Sequence, residues 1–259
     1  MTLSANNGGT RTPTACAAGE GNAVGSRAGL TAWEQSIVVG LLLGDGHLER
    51  SRRGLARLHV RQHPTRRDYV DWLYQQLQRF VRTPPKIVMS QDRRTQVATP
   101  RYGFKTLAYP VFGEWHRRFY DGRQKRIPEG VGNWLEPTSL AVWFADDGSF
   151  KTDSRGLLLN TNAFSMAEQQ RLQGALQQRF GLTTTLHRLR EWHRIYIPAR
   201  SSDRFIELIM PQLPTCVLYK LALTPERLIP YGRDRRIRLP RFRVSADNTP
   251  TPASSGVKT

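Results

Sequence analysis

The sequence predicts an α+β protein made of two pseudo-symmetric halves, each an α-β-β-α-β-β-α unit, and three observations predict it. The same order of elements occurs twice, over residues 29–135 and 136–244. Each half opens with a helix that is apolar all round and closes on an acid followed by glycine. Both halves are cationic, with 19 basic against 9 acidic residues in the first and 17 against 10 in the second.

Residues 1–28 are rich in Gly, Ala, Thr, Ser and Asn without apolar periodicity, and are expected to be a disordered leader. Thr31 to Gly44 reads as the first apolar helix and Leu55 to Gln62 as a strand. Thr65, with Asp68 three residues on, is expected to cap a helix whose stripe is Tyr69, Trp72, Leu73, Leu77, Phe80 and Val81. Pro84 and Pro85 end it. Strands follow at Lys86 to Ser90 and Arg101 to Thr106, then a helix from Pro110 to Tyr120.

In the second half Pro137 and Thr138 begin an apolar helix that reaches Asp147, and Leu157 to Asn162 reads as a strand. Ser165 and Glu168 make a capping box for a helix ending at Gly181. Thr183 to Arg190 and Arg194 to Pro198 form a hairpin, and Ser202 is expected to cap a last helix through Leu208. Residues 245–259 are rich in Pro, Thr and Ser and are expected to be a flexible tail. In each half helices must cover one face of the sheet, which leaves the other free to bind something.

Charge narrows what that is. The chain carries 39 Lys+Arg against 21 Asp+Glu, a net +18 with a pI near 10.9. Such a field attracts polyanions, so nucleic acid is the expected partner. No apolar run approaches the ~20 residues that span a bilayer, so no membrane partner is expected. Cys16 and Cys216 are too few and too far apart for a zinc cluster or a disulfide framework, and Cys216 is read as a buried thiol. His47, His116 and His193 have no metal-ligand spacing.

Alternation in the strand before Gln62 puts Leu58 and Val60 on one face and Arg57, His59, Arg61 and His63 on the other. A two-stranded ribbon fits the DNA major groove, where such groups read base edges. Lys86, Arg101 and Lys105 on the neighbouring strands join that candidate surface, and His187, Arg194 and Tyr196 offer its counterpart in the second half. A merely solvated strand face is the alternative for each strand alone; it weakens when both halves show the pattern.

The chemistry is read from the helix ends. Val38 to Gly46 and Leu140 to Gly148 share one grammar, an apolar body with small residues and then Asp45-Gly46 or Asp147-Gly148. An acid at a helix C-terminus meets partial negative charge, so a cation should compensate. If Ala141 and Ala145 meet Gly40 and Gly44 across a pseudo-twofold axis, both helices deliver an Asp to one spot. Two carboxylates there repel unless one is protonated or a metal sits between them. Magnesium suits such a pair, because it takes one or two carboxylates and keeps waters and phosphate oxygens.

These two stretches resemble the signature helices of LAGLIDADG homing endonucleases, specifically the monomeric double-motif branch found in group I introns. Tyr69 to Leu73, Thr83 to Pro85, Ser139 to Phe144 and Val217 to Leu221 agree, and the likeness covers roughly residues 30 to 230. It implies a saddle of antiparallel sheets with the motif helices at the interface between halves. It further implies a monomer that cuts both strands of a long double-stranded DNA site to leave 3′ overhangs.

The metal-binding acids would be Asp45 and Asp147, with the main chain of Gly44 and Asp146 beside them and two or three Mg2+ or Mn2+ ions shared between the halves. The resemblance places a lysine near each scissile phosphate, here Lys125 and Lys220, which act on the transition state or only anchor phosphate. It also places solvent-holding polar residues at Gln62 and Asn162. Leu43 and Ala145 stand where the family motif has its first Asp, a structural position. An intron origin implies an organellar protein. Two other functions fit the same scaffold: an RNA maturase acting on its host intron, and a non-catalytic DNA-binding regulator.

Overall fold

Thr31 starts the first helix by a reciprocal cap, its hydroxyl accepting from the Glu34 N–H while the Glu34 carboxylate accepts from the Thr31 N–H. The computed structural model describes residues 29–51, 53–91, 97–151 and 153–221. The expectations for 1–28 and 245–259, and for the end of the second half beyond 221, lie outside the described residues.

The first half runs α1 (Ala32–Leu43), β1 (His47–Arg50), β2 (Ala56–Gln62), α2 (Arg67–Leu77), β3 (Lys86–Gln91), β4 (Ala98–Lys105), α3 (Pro110–Phe119), and a short hairpin of β5 (Tyr120–Asp121) and β6 (Gln124–Lys125). The second runs α4 (Pro137–Asp147), β7 (Gly148–Lys151), β8 (Gly156–Leu159), α5 (Met166–Phe180), β9 (Thr185–Leu189), β10 (Trp192–Ile197) and α6 (Ala199–Ile209), followed by a 3-10 segment, Thr215–Leu221. Each half forms a four-stranded antiparallel sheet with one order, β1-β2-β4-β3 and β7-β8-β10-β9.

The registers superimpose as well. His47 pairs His59 where Ser149 pairs Leu158, and His59 pairs Lys105 where Leu158 pairs Tyr196. The strands that follow the motif helices, β1 and β7, are four residues each, too short for alternation to announce them.

Three local expectations are corrected. Thr65 does not cap α2: Pro64 begins a 3-10 turn whose cap is His63, and α2 starts at Arg67. Strand β8 stops at Leu159, which leaves Asn162 exposed in the turn before Ser165. Ser202 lies inside α6 rather than at its start; Pro198 precedes the helix, and the buried Ser202 hydroxyl donates to the Arg155 and Pro198 carbonyls.

Elsewhere the caps behave as read. Ser165 and Glu168 form their box, and Gly181 ends α5 at φ 70°, a left-handed conformation that glycine adopts without strain. Cys216 is half-buried rather than buried.

The core is continuous across the halves. Helices α1 and α4 are buried on nearly every side and pack along each other at its centre. The partners differ from those expected. A Cβ on Gly40 would lie 2.6 Å from the Ser139 carbonyl oxygen and 2.7 Å from Val142 Cβ, and one on Gly44 would lie 2.6 Å from Asp146 Cβ. Gly40 therefore meets Val142 and Gly44 meets Asp146, where Ala141 and Ala145 were expected.

Those pairs are each other's counterparts in the repeated motif, so the pseudo-twofold axis passes between them. The glycines of one helix make room for the larger side chains of the other. No helix is long and apolar enough to cross a membrane among the described residues.

Candidate active site and nucleic-acid interface

Asp45 and Asp147 hold matching places at the C-terminal ends of α1 and α4. Asp45 is exposed and Asp147 half-buried, so both reach the surface of the seam. Burial and then the Asp45 charge push the Asp147 carboxyl up to about 7, against the pull of Lys125, Lys220 and Arg66.

The cations that the helix ends require are present. Lys125, presented by the β5-β6 hairpin, donates to the carbonyls of Gly44 and Gly46 at 2.8 and 2.7 Å. Lys220, on the 3-10 segment, donates to those of Ala145 and Asp146 at 2.6 and 3.1 Å. Each ammonium thus closes one motif helix by the same device. Burial lowers both lysines; Lys220, with Arg66 adding to the effect, falls to about 8.

The side chain of Asp146 does something that its main chain alone did not suggest. Its Oδ2 accepts from the Asp45 N–H at 3.0 Å and its Oδ1 from Gln62 Nε2 at 3.1 Å. Gln62 Nε2 also donates to Asp45 Oδ2 at 2.9 Å. Arg66 completes the cluster, with Nη1 on Gln62 Oε1 at 3.0 Å and Nη2 on the Ala145 carbonyl at 2.5 Å. Full burial, then the Asp45 charge, pushes the Asp146 carboxyl up to about 7.

Asn162 has no place in this cluster. Extending the registers along β2 and β8 makes Thr161 the counterpart of Gln62. Thr161 is fully buried, donating to Gln169 and accepting from the Ile195 N–H. Arg66 gave no sign in the sequence, since a basic residue near a helix start is commonplace.

A divalent cation fits this chemistry. Among the described residues no three His, Cys, Asp or Glu side chains converge as a metal cluster. The candidate donors are instead a carboxylate from each half, Asp45 and Asp147, oxygen ligands of the kind that would suit magnesium with waters filling the remainder. Burial first, and the neighbouring Asp45 charge second, raise the Asp147 carboxyl, a cost that a bound cation would offset. The Gly44 and Asp146 carbonyls, which the family resemblance places beside the metal, each accept a lysine ammonium here.

The free faces of the sheets flank the seam. On the first, Arg57, His59 and Arg61 of β2 share one side with Lys105, Gly103 and Arg101 of β4 and with Lys86 of β3, by strand register. Arg57, His59, Arg61, Lys86 and Lys105 line a cleft of about 480 Å³, joined by Arg82. Glu49 tempers this face, pairing His59 at 3.0 Å and Arg57 at 3.5 Å. His63 lies beyond the strand, where it caps the 3-10 turn through Nδ1.

On the second sheet, Tyr196 and Arg194 of β10 face the same way as His187 of β9. The His187 and Tyr196 rings stack at 4.0 Å, and Tyr196 covers Gly156. Trp192 and Lys151 also share this face by register, the former half exposed at 52%.

Comparison with known proteins agrees with this architecture. Residues 35–205 match the family model described as the LAGLIDADG DNA endonuclease family. The chain is 32% identical over 212 residues to the DNA endonuclease I-ChuI of Chlamydomonas applanata, covering 74% of this chain and 96% of that one. It is 26% identical over 190 residues to the cytochrome b mRNA maturase bI2 of Debaryomyces hansenii, covering 71% of this chain and 72% of the relative. Among solved structures, the homing endonuclease I-WcaI bound to its DNA recognition sequence superposes with a TM-score of 0.70 at 22% identity, over 76% of this chain and 89% of that one. That likeness establishes the saddle of paired antiparallel sheets.

Proposed function

Since this chain belongs to the LAGLIDADG DNA endonuclease family, we propose that it is a site-specific endonuclease that hydrolyses both strands of duplex DNA with a divalent cation. The observation that carries the reading is the seam itself: one helix-terminal acid from each half, flanked by a lysine from each half, between two sheet faces that carry basic and aromatic side chains.

The sheet faces bind and orient. Arg57, Arg61, Arg101, Lys86 and Lys105 on one, with Arg194, His187 and Tyr196 on the other, contact phosphates and base edges in the major groove. Binding to them lays the duplex across the α1/α4 seam with its backbone against Asp45 and Asp147. Asp45 and Asp147 would hold Mg2+ or Mn2+, which when bound supplies Lewis-acid stabilisation of the attacking and leaving oxygens.

Gln62 holds Asp45 Oδ2 and restricts its rotation. Lys125 and Lys220 keep positive charge beside the scissile phosphates while fixing the helix ends. Two or three ions shared between the acids, cleavage to 3′ overhangs, action as a monomer and an organellar setting all follow the family reading.

The test is direct. Asp45→Asn or Asp147→Asn should abolish double-strand cleavage while target binding stays within about tenfold, since neither acid attracts the phosphates by itself. A purified protein that cuts nothing in a randomised duplex library with magnesium would refute the endonuclease reading. A maturase function is the second reading, favoured by the likeness to the cytochrome b mRNA maturase. Promotion of splicing by the Asp45→Asn protein would separate it from cleavage.

A further inference from the structure

The two motif helices are matched in sequence grammar and in their lysines, yet the polar contacts around their acids are not. Position for position, Asp146 of the second half corresponds to Gly44 of the first, and the two touch. The Asp146 carboxylate therefore crosses the seam and takes the Asp45 N–H at 3.0 Å and Gln62 Nε2 at 3.1 Å. In the opposite direction Gly44 has no side chain to offer Asp147. The asymmetry continues one residue outward: Gln62 reaches Asp45 at 2.9 Å, whereas its register counterpart Thr161 is buried and committed to Gln169 and Ile195. Arg66 then ties the assembly to the second half through the Ala145 carbonyl.

We infer that Asp146 is a positioning residue for one of the two cleavage events only, acting across the seam to fix Asp45 and the Gln62 amide that holds it. The inference rests on the endonuclease reading and adds to it that the two strand cuts depend on different side chains. Three features make the role specific to Asp146. A carboxylate offers two acceptor oxygens to two donors, Asp45 N–H and Gln62 Nε2. Gly44, lacking a side chain, lets the Asp146 Cβ and carboxyl lie directly against it, where any added Cβ would come within 2.6 Å of both. An Asn would face one of the two donors with its own N–H2, or force Gln62 to turn and release Asp45.

The experiment uses the full-length protein and a supercoiled plasmid with one target site, following nicked and linear products and mapping the nicked strand. Asp146→Ala and Gln62→Ala should each slow one cut by at least tenfold and leave the other within about threefold. Nicked plasmid should accumulate, cut in the same strand for both variants. The double variant should be no slower than the slower single one, because both act on the same acid. Asp146→Asn should fail to restore the slow cut.

A readout independent of catalysis comes from the metal-free protein, where the Asp45 amide should exchange with deuterium about tenfold faster in Asp146→Ala than in the wild type, with the Asp147 amide unchanged. Equal slowing of both strands, or nicks in opposite strands for the two variants, overturns the inference and leaves the endonuclease reading standing. A wild-type protein that cuts nothing overturns both.

Discussion

Gly40→Ala is the sharpest probe of the seam, because a single methyl is there asked to occupy space already filled. The added Cβ would lie 2.6 Å from the Ser139 carbonyl oxygen and 2.7 Å from Val142 Cβ, where ordinary contacts begin at 3.4 Å. Relief therefore requires the helices to part by about 0.7–0.8 Å, since one obstacle is backbone and the other the stiff Cβ of a valine.

Neither helix has free space behind it, as Ile37, Val38, Leu41, Ala141 and Phe144 are all essentially fully buried. Overpacking of this kind costs about 1–3 kcal/mol, and the better helix propensity of alanine offsets up to about 1 kcal/mol. With a backbone carbonyl as the obstacle the upper range applies, a net loss of about 2 kcal/mol, or roughly 4–8 °C in Tm for a protein this size.

Asp45 follows Gly40 by five residues, so a shift of that order should also reduce cleavage by about tenfold to a hundredfold. Gly174→Ala is the matched control, a helical glycine in α5 whose Cβ would meet nothing within 4 Å. It should stabilise by about 0.5–1 kcal/mol. Thermal unfolding and plasmid cleavage measure all three proteins. A Gly40→Ala variant with unchanged Tm and full activity would refute the close approach of α1 and α4.

Further outcomes follow from the same geometry. Asp146 and Asp147, raised to about 7 from a normal carboxylate value near 3.8, bind more protons folded than unfolded between those limits, so their contribution to stability is greatest at low pH and is lost as pH rises toward 7. His47, His59 and His116, lowered by burial, act in the opposite sense near pH 6.5. The clean observable is therefore the Tm increase produced by magnesium, which should grow from pH 6 to 8 and vanish in Asp147→Asn. Glu34→Ala removes the carboxylate half of the α1 capping box and the partner of Arg79, whose Nη2 lies 2.5 Å from the Glu34 carboxylate, and should cost about 2 kcal/mol by denaturant titration. DNA binding should weaken by at least about a hundredfold between 50 and 200 mM salt if the cationic sheet faces contact phosphates, as a fluorescence-anisotropy titration would show.

What the sequence determined by itself was local or repeated. Reciprocal caps at Thr31 and Ser165, the left-handed stop at Gly181 and the apolar periods of α2 and α5 are written in residues three or four apart, where helix geometry sets the partner. The repeat of Asp-Gly after two apolar helices exposed the pair Asp45 and Asp147, because each copy repeats the other's context.

Tertiary structure alone decided which residues meet across the seam. A helix that is apolar all round carries no periodicity to say which stripe faces its partner, so Val142 and Asp146, not Ala141 and Ala145, lie against the glycines. The same holds for Asp146, whose side chain became the link to Asp45 and Gln62 only because Gly44 left it room. It holds also for Lys125 and Lys220, which reach the helix-end carbonyls from elements 74 or more residues away in the chain. Strand ends belong to this class too: β8 stops before Asn162, and Thr161 takes the place matching Gln62 through a sheet register that only the folded pairing fixes.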